Sequence, residues 1–170
     1  MPTPFIRPAT LDDLPRLTKI YNHYVVNSPA TFDLEPYTVE RRMLWFSQFG
    51  LAGRHRLLVT EEDGVVLGYA GTMRFRPKAA YDTTVETTIY CAADRTRKGL
   101  GSLLYAALFE AIKDEDIHRI VAGFTLPNAA SQALHEHLGF KTVGIFHEVG
   151  RKFGRYWDVA WTERPLKLSS

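Results

Sequence analysis

The 170-residue sequence has a single cysteine, Cys91, so no internal disulfide can form, and no Cys/His spacing resembles a zinc site. No metal is expected, and a reducing compartment, the cytoplasm, is the natural setting. No apolar run approaches the roughly 20 residues that span a bilayer. The start MPTPFIRPAT lacks the basic end and apolar core of a signal peptide, so no membrane partner is expected. Excess charge is missing too: 21 Lys and Arg against 19 Asp and Glu leave +2, too little to argue for a nucleic-acid partner. Repeats, low-complexity stretches and long linkers are absent, and only the closing LKLSS reads as a loose tail. What remains is 45% hydrophobic and 24% charged, enough for a single domain over residues 1–170 and too short for a second.

After a short apolar start at Phe5 and Ile6, Thr10 is placed to cap a helix with Leu11, Leu14, Leu17, Tyr21, Tyr24 and Val25 at helical spacing. Pro15 fits only in its first turns. The break Asn27-Ser28-Pro29 opens a loop that contains Phe32, and Thr38 caps a second helix carrying Met43, Leu44, Trp45 and Phe46. Leu57 to Thr60 and Val65 to Met73 read as strands joined by the turn Glu62-Asp63-Gly64. Thr83 to Cys91 is a third β-branched run, after which Leu100, Leu103, Leu104, Ala107, Leu108, Ala111 and Ile112 form one helical stripe. The order repeats: Ile120 to Thr125 is a strand, Pro127 suits a helix's first turn, Ala130, Ala133, Leu134 and Leu138 form its apolar face, and Gly139 ends it. Val143 to Val149 and Tyr156 to Glu163 supply two final strands. The class is α+β, α/β in looser usage: a mixed, mostly antiparallel sheet with flanking helices and one parallel crossover.

Between the third strand and its helix lies Thr96-Arg97-Lys98-Gly99-Leu100-Gly101-Ser102. Glycines at a helix's first turn let phosphates approach unpaired N–H groups and the positive dipole end, and Arg97 and Lys98 add charge there. A glycine-rich turn before a helix is equally often only a turn. The string Gly-x4-Gly-Lys-Ser/Thr of nucleotide hydrolases is absent, and the dinucleotide pattern Gly-x-Gly-x-x-Gly fails at Leu104. A different phosphate ligand is indicated.

The run VETTIYCAADRTRKGLGSLL, followed by LPNAASQALHEHLGF, resembles the two core motifs of the GNAT acetyltransferases. TFDLEP, AYDTTVETTIY, LHEHLGF and the Gly-x-x-Trp-Asp-Val ending are similar to its phosphinothricin and methionine sulfoximine N-acetyltransferase branch, over about residues 5 to 165. The sequence departs from the motif at its first position, where Thr96 replaces Gln or Arg, and His135 stands where many members carry a Tyr. The resemblance implies the GNAT acyl-CoA N-acyltransferase fold, acetyl-CoA as co-substrate, a small-molecule amine as partner, and a homodimer.

Acetyl transfer to an amine needs a held coenzyme, a deprotonated amine, a stabilised oxyanion and a protonated leaving thiolate. The resemblance places the pyrophosphate on the amides of Arg97, Lys98, Gly99, Leu100, Gly101 and Ser102. It lays the pantetheine arm beside Ile89, Tyr90 and Cys91, with Asn128 and Ser131 near it, and requires the neighbouring strand to splay away. Strand alternation puts Glu86, Thr88 and Tyr90 on one face and Val85, Thr87, Ile89 and Cys91 on the other. Glu86 taken alone fits a solvent-facing position better; the resemblance reverses that ranking and makes it the general base, with burial raising its pKa towards neutrality.

Asn128, Ser131 and His135 fall on one stripe opposite Leu134 and Leu138. The resemblance makes His135 either the proton donor to the thiolate or the group that orients Glu86's water, while its residue type alone fits a partly buried helix histidine. Arg74, Arg76 and Lys78, at a period of two, would form a cationic edge for a substrate carboxylate, and Phe32 and Tyr81 an apolar wall; ordinary exposed charges and core aromatics are the alternatives. Direct attack on the thioester is expected, with an amino-acid analogue such as phosphinothricin, methionine sulfoximine or methionine sulfone as acceptor. Cys91 is not expected to act as a nucleophile. The competing expectations are acetylation of protein or peptide N-termini and a non-catalytic acyl-CoA sensor.

Overall fold

Caps and turns set where the elements begin. A computed structural model describes residues 3–168, so Ser169 and Ser170 of the expected tail, and Met1 and Pro2, lie outside the described residues. Strand β1 (Phe5–Pro8) leads to a 3-10 turn, Leu11–Asp13, which Thr10 closes in a capping box with Asp13. Helix α1 (Leu14–Asn27) therefore starts one turn later than the Thr10 cap implies, Pro15 lies in its first turn, and Leu11 is exposed. Thr38 caps α2 (Val39–Phe46), its Oγ1 accepting the Arg41 N–H at 3.3 Å. The inward residues of α2 are Arg42, Trp45 and Phe46, whereas the apolar Met43 and Leu44 point out.

Strands β2 (Leu57–Glu62) and β3 (Val65–Arg74) form the expected hairpin, and both turn residues, Asp63 and Gly64, take the positive φ that such a two-residue turn demands. Then follow β4 (Thr84–Cys91), α3 (Leu100–Ala111), β5 (Arg119–Leu126), α4 (Ala129–His137), β6 (Lys141–Lys152) and β7 (Arg155–Pro165). Pro127 precedes α4 instead of lying in its first turn, because Asn128 is the cap. The seven strands run β1-β2-β3-β4-β5-β7-β6, antiparallel except for β4 beside β5, which α3 connects as a parallel crossover.

Helices cover both faces, so β2 is buried on both and reads as a continuous apolar run: Leu57 and Val59 face Leu17 and Ile20, while Leu58 faces Leu104 and Leu108. Leu103, expected on the inward stripe of α3, is exposed. A third cluster unites Val85, Ile112, Ile120 and Phe140 with Leu166. Leu166 thereby anchors the segment expected to be loose, its N–H donating to His118 O at 3.2 Å.

The feature that makes room for a ligand lies at the centre of the sheet. β4 and β5 are paired only at Thr84↔Arg119, Val85↔Ile120 and Glu86↔Val121, and then part.

Candidate active site

Beyond Glu86 the two strands diverge, and a cavity of about 950 Å³ occupies the gap with walls from both faces of the sheet. Alternation on β4 decides what faces it. The Ala92 N–H bonds Leu67 O, so Tyr90 and Thr88 turn their backbone groups to β3, and those of Ile89 and Cys91 face the gap. Of the three residues expected to flank an extended ligand arm, Tyr90 thus offers no backbone group to it. Cys91 O already accepts the Tyr24 hydroxyl at 2.5 Å. Burial raises the Cys91 thiol to about 11, which disfavours a thiolate there.

On the α3 and α4 side, Gly99 caps α3 at φ +79°, a conformation that costs other residues strain, and a Cβ built on it meets nothing within 4 Å. The approach to the first-turn N–H groups of Leu100, Gly101 and Ser102 is open. Gly101 also has a packing duty, since a Cβ there would come within 3.0 Å of Leu134 Cδ2. Lys98 is exposed, while Arg97 forms an ion pair with Glu62, so the charge expected from Arg97 is already compensated.

Asn128 stands at the N-cap of α4, its Oδ1 accepting the Ser131 N–H at 3.0 Å. Asn128, Ser131 and His135 all line the cavity, as the expected stripe requires, but His135 lies below its surface. His135 is the most deeply buried residue of α4, 4% exposed, and packs among Phe124, Tyr105 and Phe140. Ser131 O can only accept, so His135 Nδ1 carries the hydrogen of their 2.7 Å bond. Burial holds the ring's pKa below its ordinary value, leaving Nε2 to accept from the Tyr105 hydroxyl at 3.3 Å. That hydroxyl also lies 3.3 Å from Thr87 Oγ1.

On the α1 and α2 side, Glu86 is half-buried at the last paired position, where the gap begins. Burial pushes its carboxyl above the usual range, and the Arg76 guanidinium pulls it back down. Beyond it the wall is aromatic: Tyr21, Tyr24, Tyr37, Trp45, Tyr69 and Tyr90. Tyr21 donates to Asp33 and is hydrogen-bonded to Thr31 Oγ1 at 2.7 Å, while burial pushes the Tyr90 hydroxyl up to about 12. The loop bearing Thr31 and Asp33 is tied down by Lys152, whose buried Nζ donates to Ser28 O and Thr31 O, each at 2.8 Å.

The residues expected to form a cationic edge and an apolar wall lie outside this cavity. Strand β3 ends at Arg74, so the period of two lapses there, and Arg74 pairs with Asp82 at 3.2 Å. Arg76 lies over the Phe75 ring at 4.3 Å, Lys78 is exposed, and Tyr81 meets Phe75 edge-on. Phe32 is packed so closely on Gly150 that a Cβ there would come within 2.2 Å of its ring. Sequence reasoning missed Arg42, Asp33, Tyr37 and Tyr69. The one signal for Arg42 was its i, i+3 and i+4 spacing to Trp45 and Phe46 on α2, which Met43 and Leu44 on the same helix obscure.

Residues 6–161 match the acetyltransferase (GNAT) domain family. A phosphinothricin N-acetyltransferase from Streptomyces coelicolor is 52% identical over 95% of this chain and 95% of its own. An L-methionine sulfoximine/L-methionine sulfone acetyltransferase from Pseudomonas paraeruginosa is 37% identical over 95% of this chain and 94% of its own. Among solved structures, a phosphinothricin acetyltransferase from Sinorhizobium meliloti in complex with acetyl-CoA superposes with a TM-score of 0.89 at 32% identity, covering 96% of this chain and 89% of that one.

Proposed function

The chain belongs to the GNAT acetyltransferase family, and from that premise we propose how its cavity carries out acetyl-CoA-dependent N-acetylation. It is an N-acetyltransferase of the phosphinothricin and methionine sulfoximine type, acting on amino-acid analogues. We infer that the acceptor is the α-amino group of phosphinothricin, methionine sulfoximine, methionine sulfone or a close analogue. One domain, residues 1–170 with its core at about 5–165, carries both substrate sites.

The observation that carries the reading is the parting of β4 and β5 beside a half-buried carboxylate. Acetyl-CoA supplies the acetyl group as a thioester. The open first turn of α3, at Gly99 to Ser102, fits its pyrophosphate, and the exposed backbone groups of Ile89 fit its arm as an added strand would. Glu86 is the general base: its raised pKa suits it to take a proton from the acceptor ammonium, directly or through one water, so that the neutral amine attacks the thioester carbon without an acyl-enzyme. The C–N bond forms as the C–S bond breaks, and the proton then lost from nitrogen ends on the departing coenzyme A thiolate. Arg76 does not line the cavity, but its charge reaches Glu86, and it is kept as the cation that draws the acceptor's carboxylate to the Glu86 end. His135 has its one N–H committed to Ser131 O, so its role is to hold the Tyr105 hydroxyl at the cavity wall.

The same proposal includes a cytoplasmic site of action, consistent with one unpaired cysteine. It also includes a homodimer, because β6 is an edge strand of 12 residues that exposes Val143, Ile145, Phe146 and Val149.

The test is thiol release from acetyl-CoA with a panel of amines. Turnover on L-methionine sulfone, L-methionine sulfoximine or phosphinothricin supports the reading. Turnover confined to peptides would replace it with N-terminal acetylation, and binding of acetyl-CoA with no turnover would make the protein a sensor.

A further inference from the structure

One charge on the acceptor side of the cavity has no part in the reaction described above. Arg42 lines the cavity from α2 and is 5% exposed. Its guanidinium carbon lies 3.8 Å from the centre of the Trp45 ring and 4.2 Å from that of Tyr21, a sandwich that holds the group in place. Of its nitrogens, Nη2 donates to the Tyr69 hydroxyl at 3.4 Å, while Nε is buried with no partner. Arg42 takes part in none of the ion pairs of the described residues. Asp33, the acid on the same wall, accepts the Tyr21 hydroxyl instead. A buried guanidinium without a counter-ion is costly, and aromatic faces offset only part of that cost. An oxygen of a bound ligand would supply the rest.

The position says which oxygen. Arg42 reaches Tyr69, which is in register with Tyr90, four residues along β4 from Glu86. At about 3.3 Å per residue, that separation is on the order of 13 Å. On that separation the end of an acceptor side chain matches Arg42 better than the α-carboxylate, two bonds from an amine held at Glu86. After the reach of the two protein side chains is subtracted, the remainder fits an acceptor side chain a few bonds long.

We propose that Arg42 sets acceptor specificity by hydrogen-bonding an oxygen at the end of the acceptor's side chain, of the sulfonyl, sulfoximine or phosphinate class. This deepens the amino-acid acceptor reading and rests on it. The guanidinium fork offers two donors in one plane to such a group, which a thioether or alkyl end cannot use.

The experiment compares L-methionine sulfone with L-methionine, which has the same skeleton without the two sulfonyl oxygens, on wild type, Arg42→Met and Arg42→Lys. Wild type should favour the sulfone in kcat/KM. Arg42→Met should cut that preference by about 10- to 100-fold, through a higher KM for the sulfone and with the KM for acetyl-CoA unchanged. Arg42→Lys should retain part of the preference. An equal loss on both acceptors, or a wild type without preference, would overturn the proposal. Should Arg42→Met fail to fold, Arg42→Lys decides alone: a reduced sulfone preference supports the role and an unchanged one refutes it. A wild type that acetylates neither amino acid overturns the acceptor reading and this role together, and is told apart because it appears before any substitution.

Discussion

Glu86 shows how a side chain acquires its chemistry from position. Burial raises its carboxyl pKa and Arg76 moderates the rise, so the acid loses its proton at a higher pH than an exposed glutamate does. Activity that depends on the ionised form should therefore fall as pH drops through this raised value. Glu86→Gln should lower kcat by about 100- to 10,000-fold and flatten the acid limb of the pH profile, while the KM for acetyl-CoA stays near wild type. Unchanged turnover would remove Glu86 from the mechanism. Arg76→Ala should move the acid limb of kcat/KM to higher pH, since the cation that favours the carboxylate is gone. For Glu86 a period of two made legible which residues share its face, Thr88 and Tyr90, whereas its role came from the family resemblance and not from the residue pattern. Arg42 was not legible, because a charged residue on a helix ordinarily marks the solvent side, and only the aromatic sandwich shows otherwise. His135 was only half legible: its place on α4 could be read, but its aromatic surroundings come from Phe124, Tyr105 and Phe140 on other elements.

Among the elements, the strand-to-helix turn before α3 has the most specific consequence. Gly99 takes positive φ and leaves empty space where a Cβ would project. Gly99→Val should raise the KM for acetyl-CoA about tenfold or more while the acceptor KM stays put, measured by initial rates at saturating acceptor. An unaltered coenzyme KM would mean that the phosphates dock elsewhere. Local chemistry made the β2–β3 turn and the α2 cap readable: Asp63-Gly64 supplies the positive φ angles and Thr38 the capping oxygen. The orientation of α2 was not readable, because Met43 and Leu44 compete with Arg42 and Trp45 for the inward face and tertiary packing decided for the latter. The cationic edge failed for a related reason. A period of two predicts a shared face only while the strand lasts, and β3 stops at Arg74.

For the whole molecule, order of elements was legible and association was not, because a single sequence does not distinguish an apolar edge that awaits a partner from one that packs internally. Strand β6 leaves Phe146 59% exposed on the sheet's edge. Light scattering should give wild type twice the 19.3 kDa chain mass, and Phe146→Asp should shift the population towards one chain mass. A wild type that runs as a single chain at high concentration would end the dimer assignment.

The parting of β4 from β5 puts the proposed donor and acceptor walls on opposite faces of one sheet, sharing little more than the β4 backbone. Heredity can treat them as separate modules. Substitutions on α1, α2 and the loop at Thr31 would retune which amine is accepted without disturbing Gly99 or the helix it opens, so one coenzyme cradle can serve a succession of diverging acceptors.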